Sequence, residues 1–222
     1  MWNFWKVIAV LLILGLAGWA VLTSTAYERA ALHWMAESGD GRAQYNLGLM
    51  YHRGDDVPQD DAEAVRWWRM AAEQGIDRAQ AALGRQYYLG IGVPKDNEEA
   101  VRWFRLAAEQ GNALGQNGLG SMYATGDGVS QDLQEAVRYW RLAAIQGHEA
   151  AQINLSKAYA DGVGVQLDYV AAYMWANIAS ANGQEGAAEI RDAIGERLTA
   201  DEISAAQRLA RECIDSGYGA CD

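Results

Sequence analysis

The 222-residue chain is poor in proline, cysteine and histidine, with two prolines, two cysteines and three histidines. Scarce proline together with 24 glycines indicates helices separated by glycine-marked turns, because proline breaks helices and glycine commonly ends them. Cys213 and Cys221 lack the C-x-x-C spacing of a redox motif. His148 opens "HEAAQ", where Gln152 replaces the second ligand of the zinc motif H-E-x-x-H. We therefore expect no metal site and no cofactor.

Positive charge is also scarce. Lys and Arg number 18 against 29 Asp and Glu, which gives a formal net charge of −11. A protein that binds nucleic acid normally carries a basic stripe, because phosphate contacts supply much of its affinity. The basic residues here alternate with acidic ones, so we exclude nucleic acid as a partner. Half of the chain is hydrophobic and it contains nine Trp and eleven Tyr, which indicates a packed protein rather than a disordered one.

Residues 1–27 predict a membrane anchor or a signal segment. No charged residue occurs between Lys6 and Glu28, and a helix of that length matches the roughly 30 Å core of a bilayer. Tryptophans towards both ends suit an anchor, whereas small residues up to Ala26 suit cleavage of a signal peptide. Because Lys6 favours a cytoplasmic amino terminus, we expect a single-pass inner-membrane protein whose remainder faces the periplasm. The alternative is a soluble periplasmic protein cleaved near Ala26.

Nearly the same eleven-residue segment occurs three times at intervals of 36 residues. It reads "VRWWRMAAEQG" from Val65, "VRWFRLAAEQG" from Val101 and "VRYWRLAAIQG" from Val137. A period of this length is the signature of a repeat array, in which each unit buries its apolar face against a neighbour. Aligned without gaps, the chain contains four repeats, which begin at Ala43, Ala79, Gly115 and Ala151.

Each repeat predicts two helices, called helix A and helix B below. In helix A, Leu47 and Tyr51 fall on one face. Gly48 lies between them, and glycine inside a helix costs about 1 kcal/mol relative to alanine, so we expect the partner helix to approach closely there. We expect left-handed glycines to end both helices. They are Gly54, Gly90, Gly126 and Gly162 after helix A, and Gly75, Gly111, Gly147 and Gly183 after helix B.

Helix B begins with an aspartate and carries a glutamate three residues later, as in Asp60 and Glu63. This is the spacing of a capping box. One interpretation of the arginines that follow, Arg66 and Arg69 in the first repeat, is an anion-binding stripe. The glutamate three residues before Arg66 instead favours exposed ion pairs on a solvated outer face.

These residues resemble the Sel1-like repeat family, which is related to the tetratricopeptide repeats. The shared pattern is A-x-x-x-L-G-x-x-Y-x-x-G, followed by Val, Asp, A-x-x-W and A-A-x-x-G. The resemblance implies an all-α, right-handed α-solenoid of helix-turn-helix repeats, preceded by the N-terminal transmembrane or signal helix. Residues 28–42 would form a capping helix, residues 43–186 four 36-residue repeats and residues 187–222 a degenerate capping unit. Ser156 and Ala176 replace a glycine and a large aromatic residue, so we expect packing in the fourth repeat that is looser or differently angled.

The resemblance also bears on the cysteines and on catalysis. Exported family members bridge the end of a helix B to the start of the next helix A across eight residues, the offset between Cys213 and Cys221. This supports a disulfide, which an oxidising compartment permits. Some members bind or cleave penicillins. No serine here has a lysine three residues later, and the S-D-N and K-T-G motifs are absent. We therefore predict that the chain is not an enzyme.

In tetratricopeptide arrays helix A lines the concave surface, so by resemblance the variable side chains of helix A are the candidate binding residues. Aromatic, amide and cationic side chains that converge on a groove suit an extended peptide or an acidic segment. The alternative is that they serve packing, with Asn46 and Asn154 bonding neighbouring helices. The candidates are Tyr45, Asn46, Leu49, His52, Arg53, Arg85, Tyr88, Asn117, Ser121, Asn154 and Lys157.

The sequence thus predicts a non-catalytic scaffold or adaptor of the bacterial cell envelope, with a protein or peptide partner and a membrane contact through residues 1–27. One alternative is an accessory protein that binds a cell-wall peptide or glycan in the same groove. Another is a small enzyme with an unrecognised site. That hypothesis requires a pair of titratable groups with displaced pKa values inside the groove.

Overall fold

The α-helix is the only regular element in residues 24–221, the part of the chain that the computed structural model describes. Residues 1–23, which hold most of the predicted anchor or signal segment, lie outside it. Within this part, no helix combines the length and the apolar composition needed to cross a bilayer. The helices are α1 (Ser24–Glu37), α2 (Gly41–Arg53), α3 (Asp61–Glu73), α4 (Asp77–Leu89), α5 (Asn97–Glu109), α6 (Ala113–Thr125), α7 (Leu133–Ala144), α8 (Glu149–Asp161), α9 (Tyr169–Ala181), α10 (Ala187–Gly195) and α11 (Ala200–Asp215).

Helices α2 to α9 form four successive pairs of a helix A and a helix B. Each packs on the helices before and after it in the chain, and α4 also contacts α6, the helix A of the next repeat. Helix α1 packs on α2 at one end, while α9 packs on both α10 and α11 at the other. This arrangement confirms an all-α solenoid of helical repeats.

The helix pairs approach most closely at the glycines of helix A. An ideal Cβ on Gly48 would lie 2.5 Å from Nε1 of Trp68, a residue that is 1% exposed. Gly84 meets the Phe104 ring in the same way, with an ideal Cβ at 2.8 Å. The recurrent glycine therefore makes room for an aromatic ring of helix B, as the sequence predicts.

In the fourth repeat, different residues form the close contact between helix A and helix B. Ser156 and Ala176 are both fully buried, and Ser156 Oγ donates a hydrogen bond of 2.8 Å to the Ala172 carbonyl of the partner helix. A larger residue in helix A thus accompanies a smaller one in helix B. The prediction of looser packing is wrong at this position, because the two changes compensate and the hydroxyl finds a partner.

The aspartate caps are present, but the reciprocal half of the predicted capping box is not. Asp60 accepts a hydrogen bond of 3.0 Å from the Glu63 backbone N–H. The Glu63 carboxylate receives two hydrogen bonds from Arg66, and charge-assisted bonds of this kind are stronger than neutral ones. Thr199 and Glu202 of α11 form the complete capping box.

A second glycine in each later A–B turn faces the preceding repeat. Gly92 has φ +70, and a Cβ there would overlap the Asp61 carbonyl at the start of α3. A Cβ on Gly128 or on Gly164 would likewise overlap the first backbone carbonyl of α5 or of α7, respectively. In the first repeat Asp56 holds this position, with φ 60, and its carbonyl accepts a hydrogen bond from Arg29. These glycines allow repeats to stack closely.

A ladder of buried glutamines joins successive repeats. Gln80 Nε2 donates to the Ala72 carbonyl of the previous helix B at 3.1 Å, and Gln80 Oε1 accepts from Gln110 Nε2 at 2.8 Å. One amide therefore ties together two consecutive B helices. The equivalent amide pairs are Gln44 with Gln74, Gln116 with Gln146, and Gln152 with Asn182.

The C-terminal unit is held by the predicted disulfide between Cys213 and Cys221. The closed loop directs Tyr218 back towards the repeats, where its hydroxyl accepts a hydrogen bond of 2.9 Å from Asn182 Nδ2. Asn182 is the C-cap residue of α9. The disulfide loop thus covers the end of the last helix B.

Candidate functional site

Helix A of the first two repeats and the start of helix A in the third line a half-open cavity of about 290 Å³. The lining residues combine aromatic, aliphatic, amide and cationic side chains, which is the mixture expected of a binding pocket. They are Tyr45, Leu49 and His52 from α2, Trp68 from α3, Arg78, Ala81, Ala82, Arg85 and Gln86 from α4, and Asn112, Ala113 and Leu114 at the start of α6.

The cavity exists because the second repeat has two small residues in succession. Ala81 and Ala82 occupy the positions that Tyr45 and Asn46 hold in the first repeat. Ala81 is fully buried against the helices behind it. The absence of larger side chains leaves space between the α2 residues and Leu114, which is an exposed apolar residue on α6.

Two arginines give this cavity a positive rim in an otherwise acidic protein. Arg78 and Arg85 are exposed, and in residues 24–221 neither forms an ion pair. The adjacent carboxylate of Asp77 accepts a hydrogen bond of 2.7 Å from Asn112 Nδ2. Arg85 comes seven positions after Arg78 in the chain, so the two arginines lie about 10.5 Å apart along the axis of α4.

His52 is held in place at the cavity wall. Its Nδ1 lies 2.5 Å from Oδ1 of Asp61, both side chains are half-buried, and its ring centroid is 5.3 Å from that of Trp68. A histidine–aspartate pair takes part in covalent catalysis when a nucleophile is adjacent. The residues that line the cavity include Tyr45 but no Ser, Thr, Cys or Lys.

The repeats match a known family model. The model described as the Sel1 repeat matches residues 41–76, 77–112, 113–148 and 149–184. The chain belongs to the Sel1 repeat family. This confirms the identification made from the sequence, with each Sel1 repeat beginning two residues earlier than predicted.

The solved structures that resemble this Sel1 repeat chain include two repeat proteins from bacteria. A Sel1 repeat protein from Oxalobacter formigenes is 33% identical to it with a TM-score of 0.71, over 81% of this chain and 74% of that one. The second is c5321, a protective antigen present in uropathogenic Escherichia coli strains that displays an SLR fold. It is 30% identical with a TM-score of 0.59, over 86% of this chain and 50% of that one. Among curated proteins none matches this chain.

The Sel1 fold brings together four of the eleven candidate binding residues. Tyr45, Leu49, His52 and Arg85 line the cavity. The other seven lie elsewhere on the helices A, and Ser121 donates to the Asn117 carbonyl within α6. Those seven are Asn46, Arg53, Tyr88, Asn117, Ser121, Asn154 and Lys157.

Some of the residues outside the cavity serve packing between repeats. Asn154 Nδ2 donates a hydrogen bond of 3.2 Å to Asn117 Oδ1, which joins α8 to α6. Lys95 lies over the Tyr88 ring at 5.3 Å. Asn46, Arg53 and Lys157 are exposed. The alternative prediction, that an asparagine bonds a neighbouring helix, therefore describes Asn154.

Sequence reasoning missed Arg78 and Gln86 as cavity residues. A comparison of repeats would have revealed Gln86, because Met50 and Met122 occupy its position in repeats one and three. An amide in place of a buried methionine is a visible departure from the apolar pattern. Arg78 gives no such signal, because the first repeat also has an arginine, Arg42, at that position.

The displaced pKa values lie on the outer face and at helix ends. Hydrogen bonds from Arg66 lower the pKa of the Glu63 carboxyl, and Arg102 does the same to Glu99. Burial lowers the pKa of His148, whose Nδ1 accepts the Ala151 N–H at the start of α8. The enzyme hypothesis requires a displaced pair inside the groove, and these groups are outside the cavity.

Proposed function

We propose that this protein is a non-catalytic scaffold that binds an acidic, extended segment of a protein partner across its helix-A surface. The observation that carries the proposal is the cavity between α2, α4 and α6, which pairs apolar walls with Arg78 and Arg85, two arginines that form no ion pair within residues 24–221. Sel1 repeats are typically protein-interaction scaffolds, and the fold supports this general role.

Charge complementarity favours an acidic partner segment. Arginine binds carboxylates through two parallel hydrogen bonds, which are roughly twice as strong as neutral ones. Because the chain has a net charge of −11, an acidic segment would be repelled by most of the surface and attracted at Arg78 and Arg85. This difference in charge between the arginines and the rest of the surface determines where a ligand binds and in which register, more than it determines how tightly the ligand binds. An apolar side chain placed among Tyr45, Leu49 and Leu114 would supply the buried anchor.

We further propose that the repeats act in the cell envelope. The uncharged run between Lys6 and Glu28 supports export, and the Cys213–Cys221 disulfide suits an oxidising compartment. Membrane fractionation followed by intact-mass measurement tests this. Full mass in the inner-membrane fraction supports an anchor, and a chain that starts near Tyr27 in the soluble periplasm supports a cleaved signal. Recovery of the full-length chain in the cytosol contradicts export.

Crosslinking in intact cells with mass spectrometry of the co-purified species tests the binding role. The full-length protein is compared with Arg78→Ala/Arg85→Ala and with the matched control Arg102→Ala/Arg138→Ala. The control removes the same charge from arginines paired with Glu99 and Glu135 on helix B. We expect a defined protein partner that is lost only with the cavity variant. Loss in both variants, or in neither, contradicts the proposed site. Recovery of peptidoglycan fragments in place of a protein would favour the cell-wall ligand.

A further inference from the structure

Gln86 is a buried polar side chain that lacks a partner. It lines the cavity, is 2% exposed, and its Oε1 has no hydrogen-bond partner. Buried polar groups are normally hydrogen-bonded, because an unpaired one loses its water without compensation. Four other buried atoms within residues 24–221 also lack a partner, namely Asn97 Oδ1 and the Nε1 atoms of Trp67, Trp103 and Trp140, but none of these residues lines the cavity. The other buried glutamines and the buried serine all have side-chain hydrogen bonds. These are Gln44, Gln80, Gln116, Gln152 and Ser156.

The fold does not require an amide at this position. The equivalent residues of the other repeats are Met50, Met122 and Ala158, all apolar. Gln86 directly follows Arg85, one of the two unpaired arginines of the cavity. Because Gln86 Oε1 is itself buried, the amide has to turn towards the cavity to meet a ligand, and the broad last torsion of a glutamine side chain allows this turn. An unpaired amide in an apolar position, in a cavity that two arginines also line, indicates a ligand that supplies the missing hydrogen bond.

The spacing of the arginines indicates the conformation of that ligand. Arg78 and Arg85 are about 10.5 Å apart along α4. In a polyproline II segment the rise is about 3.1 Å per residue with three residues per turn, so side chains i and i+3 project on the same side about 9 Å apart. This conformation has no internal hydrogen bonds. Its peptide groups are therefore free to bond with Gln86.

We propose that the cavity is specific for a peptide in an extended, polyproline II-like conformation with two carboxylates three residues apart. Arg78 and Arg85 hold the carboxylates, and Gln86 bonds a backbone peptide group between them. An intervening apolar side chain packs against Leu49 and Leu114. This inference rests on the proposed function and identifies Gln86 as the residue that confers specificity for the peptide backbone.

Fluorescence anisotropy with the full-length protein in detergent micelles tests this proposal. The probes are fluorescein-labelled, glycine-flanked peptides in which two aspartates are separated by one, two, three or four residues drawn from Leu and Ala. We expect the tightest binding with two intervening residues, the i, i+3 spacing. N-methylation of the peptide nitrogens between the aspartates removes the donors for Gln86 Oε1, and we expect it to weaken that peptide about tenfold, which corresponds to about one hydrogen bond of 1.4 kcal/mol.

Gln86→Met is the decisive variant, because methionine is the residue that repeats one and three carry at this position. We expect it to bind the i, i+3 peptide about tenfold more weakly, to ignore N-methylation, and to unfold at or above the wild-type Tm. A preserved Tm separates lost recognition from lost folding. Ala82→Asn, which introduces the residue found at Asn46 and Asn154, should fill the cavity and weaken every peptide.

The outcomes separate this inference from the function on which it rests. Equal affinity for all spacings, or unchanged binding by Gln86→Met, overturns the inference. If those peptides still lose affinity with Arg78→Ala/Arg85→Ala, the acidic-segment scaffold stands. If no peptide binds, the inference falls, and the crosslinking comparison then decides whether the scaffold role falls with it.

Discussion

Replacing Gly92 by alanine should destabilise the array more than replacing Gly75. Both glycines are left-handed, with φ +70 and +83, so both variants pay the cost of placing a side chain there, about 1–2 kcal/mol. Nothing lies within 4 Å of a Cβ built on Gly75. A Cβ on Gly92 would overlap the Asp61 carbonyl and lie 2.9 Å from the Ala62 nitrogen in the preceding repeat. The difference between the variants therefore isolates the contact between repeats.

The magnitude follows from the nature of the neighbour. Overpacking a filled site typically costs 1–3 kcal/mol, and backbone atoms in the first turn of α3 cannot rotate away as a side chain can. We expect Gly92→Ala to lower the free energy of unfolding by about 1–3 kcal/mol more than Gly75→Ala does. Urea denaturation of the full-length protein, followed by far-UV circular dichroism, measures both values. Equal losses in the two variants would refute the close stacking of successive repeats at this turn.

Three further predictions concern the helix ends, the pH dependence and the core. Reduction of the Cys213–Cys221 disulfide should lower the free energy of unfolding by about 2.5 kcal/mol, the value expected for such a short closed loop. An unchanged Tm after verified reduction would contradict a stabilising role for the disulfide. Burial lowers the pKa of His148 in the folded protein below its ordinary value of 6.5. Below pH 6.5 the unfolded chain therefore binds more protons at His148 than the folded protein does, and the free energy of unfolding should fall as the pH drops. His148→Asn, which copies the Asn112 cap of the third repeat, should remove this pH dependence of stability, as measured by urea denaturation at several pH values. A variant with the same pH profile as the wild type would contradict the role of His148. Trp68→Ala should cost about 3–5 kcal/mol through the cavity it leaves, and a loss below 1 kcal/mol in the same assay would be inconsistent with its burial.

The sequence predicts the solenoid because its information is periodic and local. The structure confirms the predictions made for Gly48, for the aspartate caps and for the glycines that end the helices. Each of these predictions depends on residues within one helix or one turn. The glutamine ladder was missed although Gln80 recurs every 36 residues, because its partners are separated by 30 residues of chain. A recurrent polar residue in a buried position is the signal that sequence reasoning would need to use.

The candidate site was only partly predicted because it depends on departures from the repeat. Arg85 and His52 were recognised as variable polar positions on helix A. The cavity itself requires small residues at Ala81 and Ala82 next to side chains from two other repeats, an arrangement that becomes visible only when the repeats stack. The unpaired state of Gln86 is likewise a property of the folded array, since no sequence pattern states which amides find partners.

Site-specific photocrosslinking in intact cells tests the central claim, that the helix-A surface binds a partner protein. A photoreactive phenylalanine analogue is placed either at Asn46, an exposed residue of α2 that follows the cavity residue Tyr45 in helix A, or at Arg105, an exposed residue of α5 in helix B. We predict a defined protein adduct from position 46 that Arg78→Ala/Arg85→Ala abolishes, and none from position 105. The same adduct from both positions, or an adduct from position 105 alone, would contradict the assignment of binding to the helix-A surface.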